Sequence, residues 1–188
     1  GSEAGGHTGE VSTLVLVPEV LEAIKDHDVP VLAAGGIVTG RQMAACMALG
    51  ASGVWTGSVW LTTTEADTSP AIVEKYLQAN SRQTVRARSM TGKFSRHLRS
   101  AWTDAWDEED APNPLPMPLQ SLVSGPPMAK IRQLAETGHG GAKQLATSFV
   151  GQGVGLMNER VSSRTVVYEF MEDYLKATER LNNTIDDE

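Results

Sequence analysis

Two short apolar runs, each ending in a glycine turn and separated by one helix, constrain this chain more than any other feature. Residues 30–34 (Pro-Val-Leu-Ala-Ala) lead into Gly35-Gly36-Ile37, and residues 51–56 lead into Gly57-Ser58. A continuous apolar run of this length fits a strand buried on both faces, as in a parallel sheet. Between the runs, Thr39 and Gln42 have the spacing at which two side chains satisfy each other's free backbone N–H groups at a helix start. Residues 43–49 then suit a helix, and Gly50 is placed to end it. Strand, turn, helix, strand, turn is the βαβ order, which predicts an α/β fold with parallel strands.

The same two turns predict chemistry. A phosphate needs backbone N–H groups free of Cβ obstruction, and a helix N-terminus adds a favourable dipole. In (β/α)8 barrels the loops after the seventh and eighth strands, with a short extra helix, form such a site. Gly35-Gly36 and Gly57-Ser58 have a spacing that suits it, and the Ser58 hydroxyl can add a donor. Glycines that only make tight strand-to-helix turns would leave the same pattern.

A third glycine segment opens the sequence: Ser2-Glu3-Ala4-Gly5-Gly6-His7-Thr8-Gly9. It presents one titratable ring, His7, among residues of little bulk. Gly5 and Gly6 allow the backbone close to a ligand, and a histidine exchanges protons near neutral pH. The residues leave two readings open: a catalytic ring beside a ligand, or a loop whose histidine bonds a backbone carbonyl. Such a loop is expected to follow earlier elements, so a further N-terminal portion is expected before Gly1.

Elsewhere the pattern is coarser. Residues 11–17 read as a loop or short extended stretch, and Pro18 suits the first turn of a helix carrying Val20, Leu21 and Ile24. Thr68 or Ser69 before Pro70 starts a helix to about Ala79. Arg82, Arg86, Arg88, Lys93, Arg96 and Arg99 form a basic stretch, and Asp104 and residues 107–110 an acidic one. They read as mutually neutralising on a solvated face, or as arginines holding a phosphate-rich cosubstrate such as a nucleotide or acyl-CoA. After a proline-rich connector, residues 127–136 predict a helix and 142–148 another. Gly151-Gln152-Gly153-Val154-Gly155 forms a further glycine turn. The last helix spans about 163–181 with Val167, Met171, Tyr174, Thr178 and Leu181 on its core face, and Asp186-Asp187-Glu188 is expected to fray.

Composition excludes several classes. A formal charge of −7 over 188 residues argues against nonspecific nucleic-acid binding. No apolar run approaches the roughly 18–20 residues that span a bilayer, so no membrane partner is expected. No signal peptide is visible, which fits a cytoplasmic compartment. The single cysteine, Cys46, excludes an internal disulfide and a cysteine-based zinc site. It reads as a small apolar residue packed in its helix, and no metal site is expected.

Three stretches resemble the nitronate monooxygenase family, formerly called 2-nitropropane dioxygenases: residues 1–9, residues 31–37, and residues 48–51 through Gly57-Ser58. They occur in the family's order. The resemblance is good over residues 1–65, returns at the Gly-Gln turn of 151–156, and is loose over 82–127. It implies the C-terminal portion of an FMN-binding TIM (β/α)8 barrel with an added helical segment. It also implies that Gly5 and Gly36 contact FMN, that Trp55, Thr56, Gly57 and Ser58 hold its phosphate end, and that His7 faces the flavin as the catalytic histidine. The adjacent Gly6 and Gly35 are expected at the cofactor as well. Trp55 and Trp60 stand where many members carry other residues, and Ser58 stands where threonine is common.

The expected organisation is a barrel part over 1–80, an inserted or appended mainly helical segment over 81–150, and a return to the barrel over 151–188. The earlier barrel strands are expected to come from a preceding segment or a partner chain, so these residues alone should not close a barrel. The expected function is FMN-dependent oxidation of alkyl nitronates, small-molecule substrates, with O2. An NAD(P)H-dependent flavin reductase acting on a quinone, enoyl or acyl-CoA substrate is the alternative. A non-catalytic fragment or subunit of a split barrel is a second one.

Overall fold

In the computed structural model, which describes residues 1–186, the βαβ unit forms as its residues dictate. The chain opens with β1 (Gly6–His7), α1 (Thr13–Ala23) and β2 (Leu32–Ala34). Then come α2 (Gly40–Ala48), β3 (Gly53–Trp55), a 3₁₀ turn over Ser58–Thr62 and α3 (Pro70–Gln78). β2 and β3 pair in parallel, with Ala33 opposite Val54. The Thr39–Gln42 capping box starts α2, and Gly50 follows its end at a φ of 100°, which glycine adopts without a Cβ clash. Cys46 is buried beside Val17, Ala33, Ile37 and Ala51, and burial pushes its thiol up from its ordinary value.

Residues 11–17 are not extended. Thr13 begins α1, and Pro18 lies inside that helix. The backbone N–H of Thr13, free at a helix start, donates to both Glu3 carboxylate oxygens at 3.1 and 3.0 Å. With its first turn held, the helix buries Val17 and packs Leu21 against the same core. Tertiary contacts of this kind outweigh the bond that Pro18 forfeits.

The basic stretch forms a β-hairpin. A short 3₁₀ turn over Ser81–Gln83 leads to β4 (Thr84–Ala87), which pairs antiparallel with β5 (Ser95–Leu98). β1 joins the other edge of β5, giving the order β1-β5-β4. Residues 81–150 therefore contain a hairpin as well as helices, and the hairpin shares a sheet with the opening loop. α4 (Ala101–Ala105) follows, then α5 (Leu119–Glu136) and α6 (Gly140–Leu145). α5 starts earlier than the prolines suggest and contains Pro126 and Pro127. Its first half is anchored instead through its two buried residues, by Gln120 Nε2 to Ser89 O at 2.8 Å and Ser124 Oγ to Met90 O at 2.6 Å.

A 3₁₀ turn over Gln152–Leu156 leads to α7 (Ser163–Asp186); Asp187 and Glu188, where fraying was expected, lie outside the described residues. α7 is turned relative to the expected face. Val166 and Ala177 are buried and Phe170 packs on the core, whereas Val167, Met171 and Leu181 are exposed. The inward line contains Asp173, whose carboxylate accepts from Arg41 N at 2.7 Å and Arg41 Nε at 2.9 Å. An apolar-only criterion rejects that line, although its polar member is paired. The described residues form a three-stranded and a two-stranded sheet and no closed barrel. None of their helices is long and apolar enough to cross a membrane.

α2 and α7 touch backbone to backbone. A Cβ at Gly40 would lie 1.9 Å from Phe170 O and 2.4 Å from Tyr174 N. Neither atom can rotate away. Gly40→Ala should therefore destabilise the protein by about 3 kcal/mol, the upper end of overpacking costs, seen as a lower urea midpoint with an unchanged slope. An unaltered midpoint would show that α7 yields freely.

Candidate functional site

Three glycine segments, far apart in sequence, meet around one cleft of about 380 Å³. Gly5 and Gly6 come from the opening loop, Gly35 and Gly36 from the exit of β2, and Trp55, Gly57 and Ser58 from the exit of β3. Parallel strands send both exits to one end of the sheet, where ligands of such folds bind. The volume lies in the range of small-molecule and cofactor pockets.

Gly35 and Gly36 have φ of 125° and 69°, so the chain turns sharply in a conformation that other residues resist. A Cβ on Gly36 would also come within 2.9 Å of Glu3 Cβ. Gly57 differs, because a Cβ built there meets nothing within 4 Å. Its missing side chain leaves the cleft open, as a cofactor approached by backbone N–H groups requires.

Ser58 and Thr56 face different tasks. Ser58 Oγ accepts the N–H of Gly151 at 2.8 Å, joining the β3 exit to the last glycine turn. Thr56 does not line the cleft; its carbonyl and Oγ1 accept the Trp60 indole N–H at 3.1 and 3.0 Å. Trp55 is 71% exposed, an apolar surface beside the opening.

His7 stands next to the cleft-lining Gly6 rather than in the wall itself. β1 holds it opposite Ser95, and its Nε2 lies 2.8 Å from Thr91 Oγ1. The hairpin supplies the cations around it. Arg86 Nε donates to Thr8 Oγ1 at 3.0 Å, with its guanidinium 5.3 Å from the centre of the Phe94 ring. Arg96 is buried and braces the opening loop: Nε and Nη2 donate to Ser2 O at 3.2 and 2.9 Å, and Nη1 to Thr84 Oγ1 at 2.9 Å. Burial and the nearby Arg86 charge lower its pKa. Between the basic and acidic stretches, Arg99–Asp104 is an exposed ion pair; Arg86, Arg88 and Arg96 bond to carbonyls and hydroxyls instead.

Sequence reasoning missed the supports. Phe149 lines the cleft, its carbonyl accepts the buried Tyr76 hydroxyl at 3.0 Å, and its ring stacks on His97 at 5.4 Å. Neither ring nitrogen of His97 has a hydrogen-bond partner. Burial, the dominant cause, pushes its imidazole down to about 4, and the Arg96 charge acts in the same direction. Glu3 lies in the opening segment without an expected role there, and Thr13 belongs to no motif, yet Thr13 Oγ1 lies 3.1 Å from both the Glu3 carboxylate and Ala34 O. Among the described residues no cluster of histidine, cysteine and carboxylate groups could hold a metal.

Residues 1–173 match the family model described as nitronate monooxygenase. A candidate monooxygenase of Mycobacterium tuberculosis is 54% identical over 185 residues, which is 98% of this chain and 49% of that protein. A second M. tuberculosis protein is 42% identical over 100 residues, 53% of this chain and 28% of its own length. It is named as a 5-hydroxy-7a-methyl-1-oxo-octahydro-1H-indene-4-carboxyl-CoA dehydrogenase. The nitroalkane oxidase structure from Streptomyces ansochromogenes superposes with a TM-score of 0.76 at 27% identity, covering 96% of this chain and 52% of that one. The chain thus spans about half the length of the first of these relatives.

Two measurements on the full-length protein test this geometry. Gly57→Asp should fold normally, because its side chain enters open space, yet lose flavin affinity by more than about tenfold through a carboxylate placed where an anionic phosphate would lie. A variant purified with unchanged flavin content would count against that placement. Second, a histidine held near 4 when folded and near its ordinary 6.5 when unfolded takes up its proton only on unfolding between those values. Stability should therefore fall by about 3 kcal/mol as pH drops from roughly 6.5 through 4. His97→Leu should flatten that part of the profile in urea titrations, and an identical slope would exclude His97 as its source.

Proposed function

The chain belongs to the nitronate monooxygenase family, generally flavin-dependent oxidoreductases, and on that premise we propose that it forms the cofactor-binding part of an FMN-dependent enzyme that oxidises alkyl nitronates with O2. The observation that carries this reading is the convergence of three glycine segments on one cleft beside His7. Gly57, with no Cβ to obstruct approach, fits a phosphate, and the N–H groups around Gly36 and Gly57 would hold it. Gly5, Gly6 and Gly35 would border the rest of the cofactor, with Trp55 and Ser58 shaping its phosphate end and Thr56 contributing only by holding Trp60 behind it. Bound FMN supplies the electron transfer and oxygen chemistry.

The protein's own contribution is position and proton transfer. His7 would remove the proton from the carbon bearing the nitro group, or orient a nitronate already lacking it. Arg86 and Lys93 on the hairpin would favour an anionic substrate over its neutral acid form. Residues 1–80 would supply most of the cleft wall, with Phe149 from the 81–150 segment, and the turn after Gly151 would brace it through Ser58.

A second reading rests on the carboxyl-CoA dehydrogenase relative. In it NAD(P)H reduces the flavin, and the basic hairpin receives an acyl-CoA. Anaerobic stopped-flow reduction of the full-length protein by NADH and, separately, by nitronate distinguishes the two. Rapid reduction by nitronate alone supports the monooxygenase.

His7→Ala should retain FMN, since its neighbours are glycines and threonine. Turnover of neutral nitroalkane should fall roughly 10²–10⁴-fold, the range for removing a general base. Preformed nitronate should suffer much less, because its proton is already gone. Equal losses for both substrates would remove His7 from the base role.

A further inference from the structure

The hydrogen bond at His7 has a direction that the surrounding groups decide. Thr91 Oγ1 has one proton to give and two lone pairs to receive. It lies 3.2 Å from Lys93 O, to which it donates, and 3.4 Å from Lys93 N, from which it accepts. His7 Nε2 is its third neighbour, at 2.8 Å. With the hydroxyl proton on Lys93 O, the oxygen accepts from His7, and the hydrogen-bond network assigns the hydrogen to Nε2. This arrangement satisfies all three neighbours. Turning the hydroxyl toward Nε2 would deprive Lys93 O of that donor and leave one lone pair of the oxygen unused.

A neutral imidazole has one N–H and one bare nitrogen, and the bond made by one sets the state of the other. We propose that Thr91 is the positioning residue of His7: it fixes the Nε2–H tautomer, and so makes Nδ1 the atom that accepts a proton from substrate. The proposal deepens the function argued above and rests on His7 being the proton acceptor. It assigns a task to the hairpin loop, since Thr91 and Lys93 lie between β4 and β5 and the bond spans 84 residues of sequence. β1 and β5 are paired at Ser95, so ring and hydroxyl are carried by one sheet.

The test uses full-length protein labelled with ¹⁵N-histidine, read through couplings from the ring nitrogens to the carbon-bound ring protons. The His7→Ala spectrum identifies the His7 signals. Wild type and Thr91→Ser, which keeps the hydroxyl, should both show hydrogen on Nε2 and a bare Nδ1. Thr91→Val, which keeps the shape and loses the hydroxyl, should show a mixture of tautomers. Thr91→Val should also lower turnover of neutral nitroalkane by about tenfold or more, the scale at which orienting partners of functional histidines act. It should leave nitronate turnover within about twofold and flavin content unchanged. Thr91→Ser should restore the neutral substrate. A His7 tautomer that ignores Thr91→Val, or hydrogen found on Nδ1 in wild type, overturns the proposal. So does equal loss for both substrates, the mark of a general packing defect. A tautomer that responds while neutral-nitroalkane turnover stays level overturns the proton-acceptor role of His7 and leaves the Thr91 bond standing, so the two failures are distinguishable.

Discussion

Glu3 holds together three parts of the chain that sequence keeps apart. Its carboxylate receives the backbone N–H and hydroxyl of Thr13, which begins α1. Its carbonyl receives the N–H of Gln152 at 2.9 Å, which fixes the last glycine turn. Its Cβ lies so near Gly36 that no side chain fits there. A charge-assisted bond of this kind is worth about 1.5–3 kcal/mol, and here it falls on the N–H groups that a helix start leaves unpaired. The helix start, the β2 exit and the Gly151 turn therefore meet at one residue, and of these the β2 exit forms part of the cleft wall.

The parts of the fold that could be read in the sequence are those set by local rules. The capping box at Thr39, the glycine after α2 and the two apolar runs each specify their geometry within a few residues. Their parallel pairing follows from the connecting helix. What could not be read depends on distant partners. Pro18 and Pro126-Pro127 lie inside helices because buried side chains elsewhere repay the lost bonds. Asp173 belongs to the packed face of α7 because Arg41 meets it from α2. The basic stretch is a hairpin whose strands carry one arginine each, Arg86 and Arg96, among uncharged residues, while composition alone reads the whole stretch as a solvated surface.

The site divides in the same way. Gly5, Gly6, Gly35, Gly36, Gly57 and Ser58, expected together from the sequence, do converge on one cleft, because sharp turns at strand exits have few residue types to choose from. Phe149, Tyr76 and Arg96 could not be placed from the sequence. Phe149 joins the wall while Tyr76 and Arg96 brace from behind, and no local sequence pattern announces any of these distant contacts. Arg96 is the clearest instance: it belongs to the basic stretch that could have held a cosubstrate, yet it is committed to Ser2 and Thr84.

Phe149 lies at the boundary between cleft and core. Its ring faces the cavity, its carbonyl is tied to Tyr76, and the adjacent Val150 is fully buried among Ile72, Leu98 and Ala146. The cleft wall exists only while that core is packed. Occupancy and folding are consequently linked by mass action: a ligand present at a hundred times its dissociation constant adds about 2.7 kcal/mol to the folded state. Loosening of α3, which packs against the Ser58–Thr62 and Gln152–Leu156 turns, would register first as weaker retention of any ligand held in the cleft.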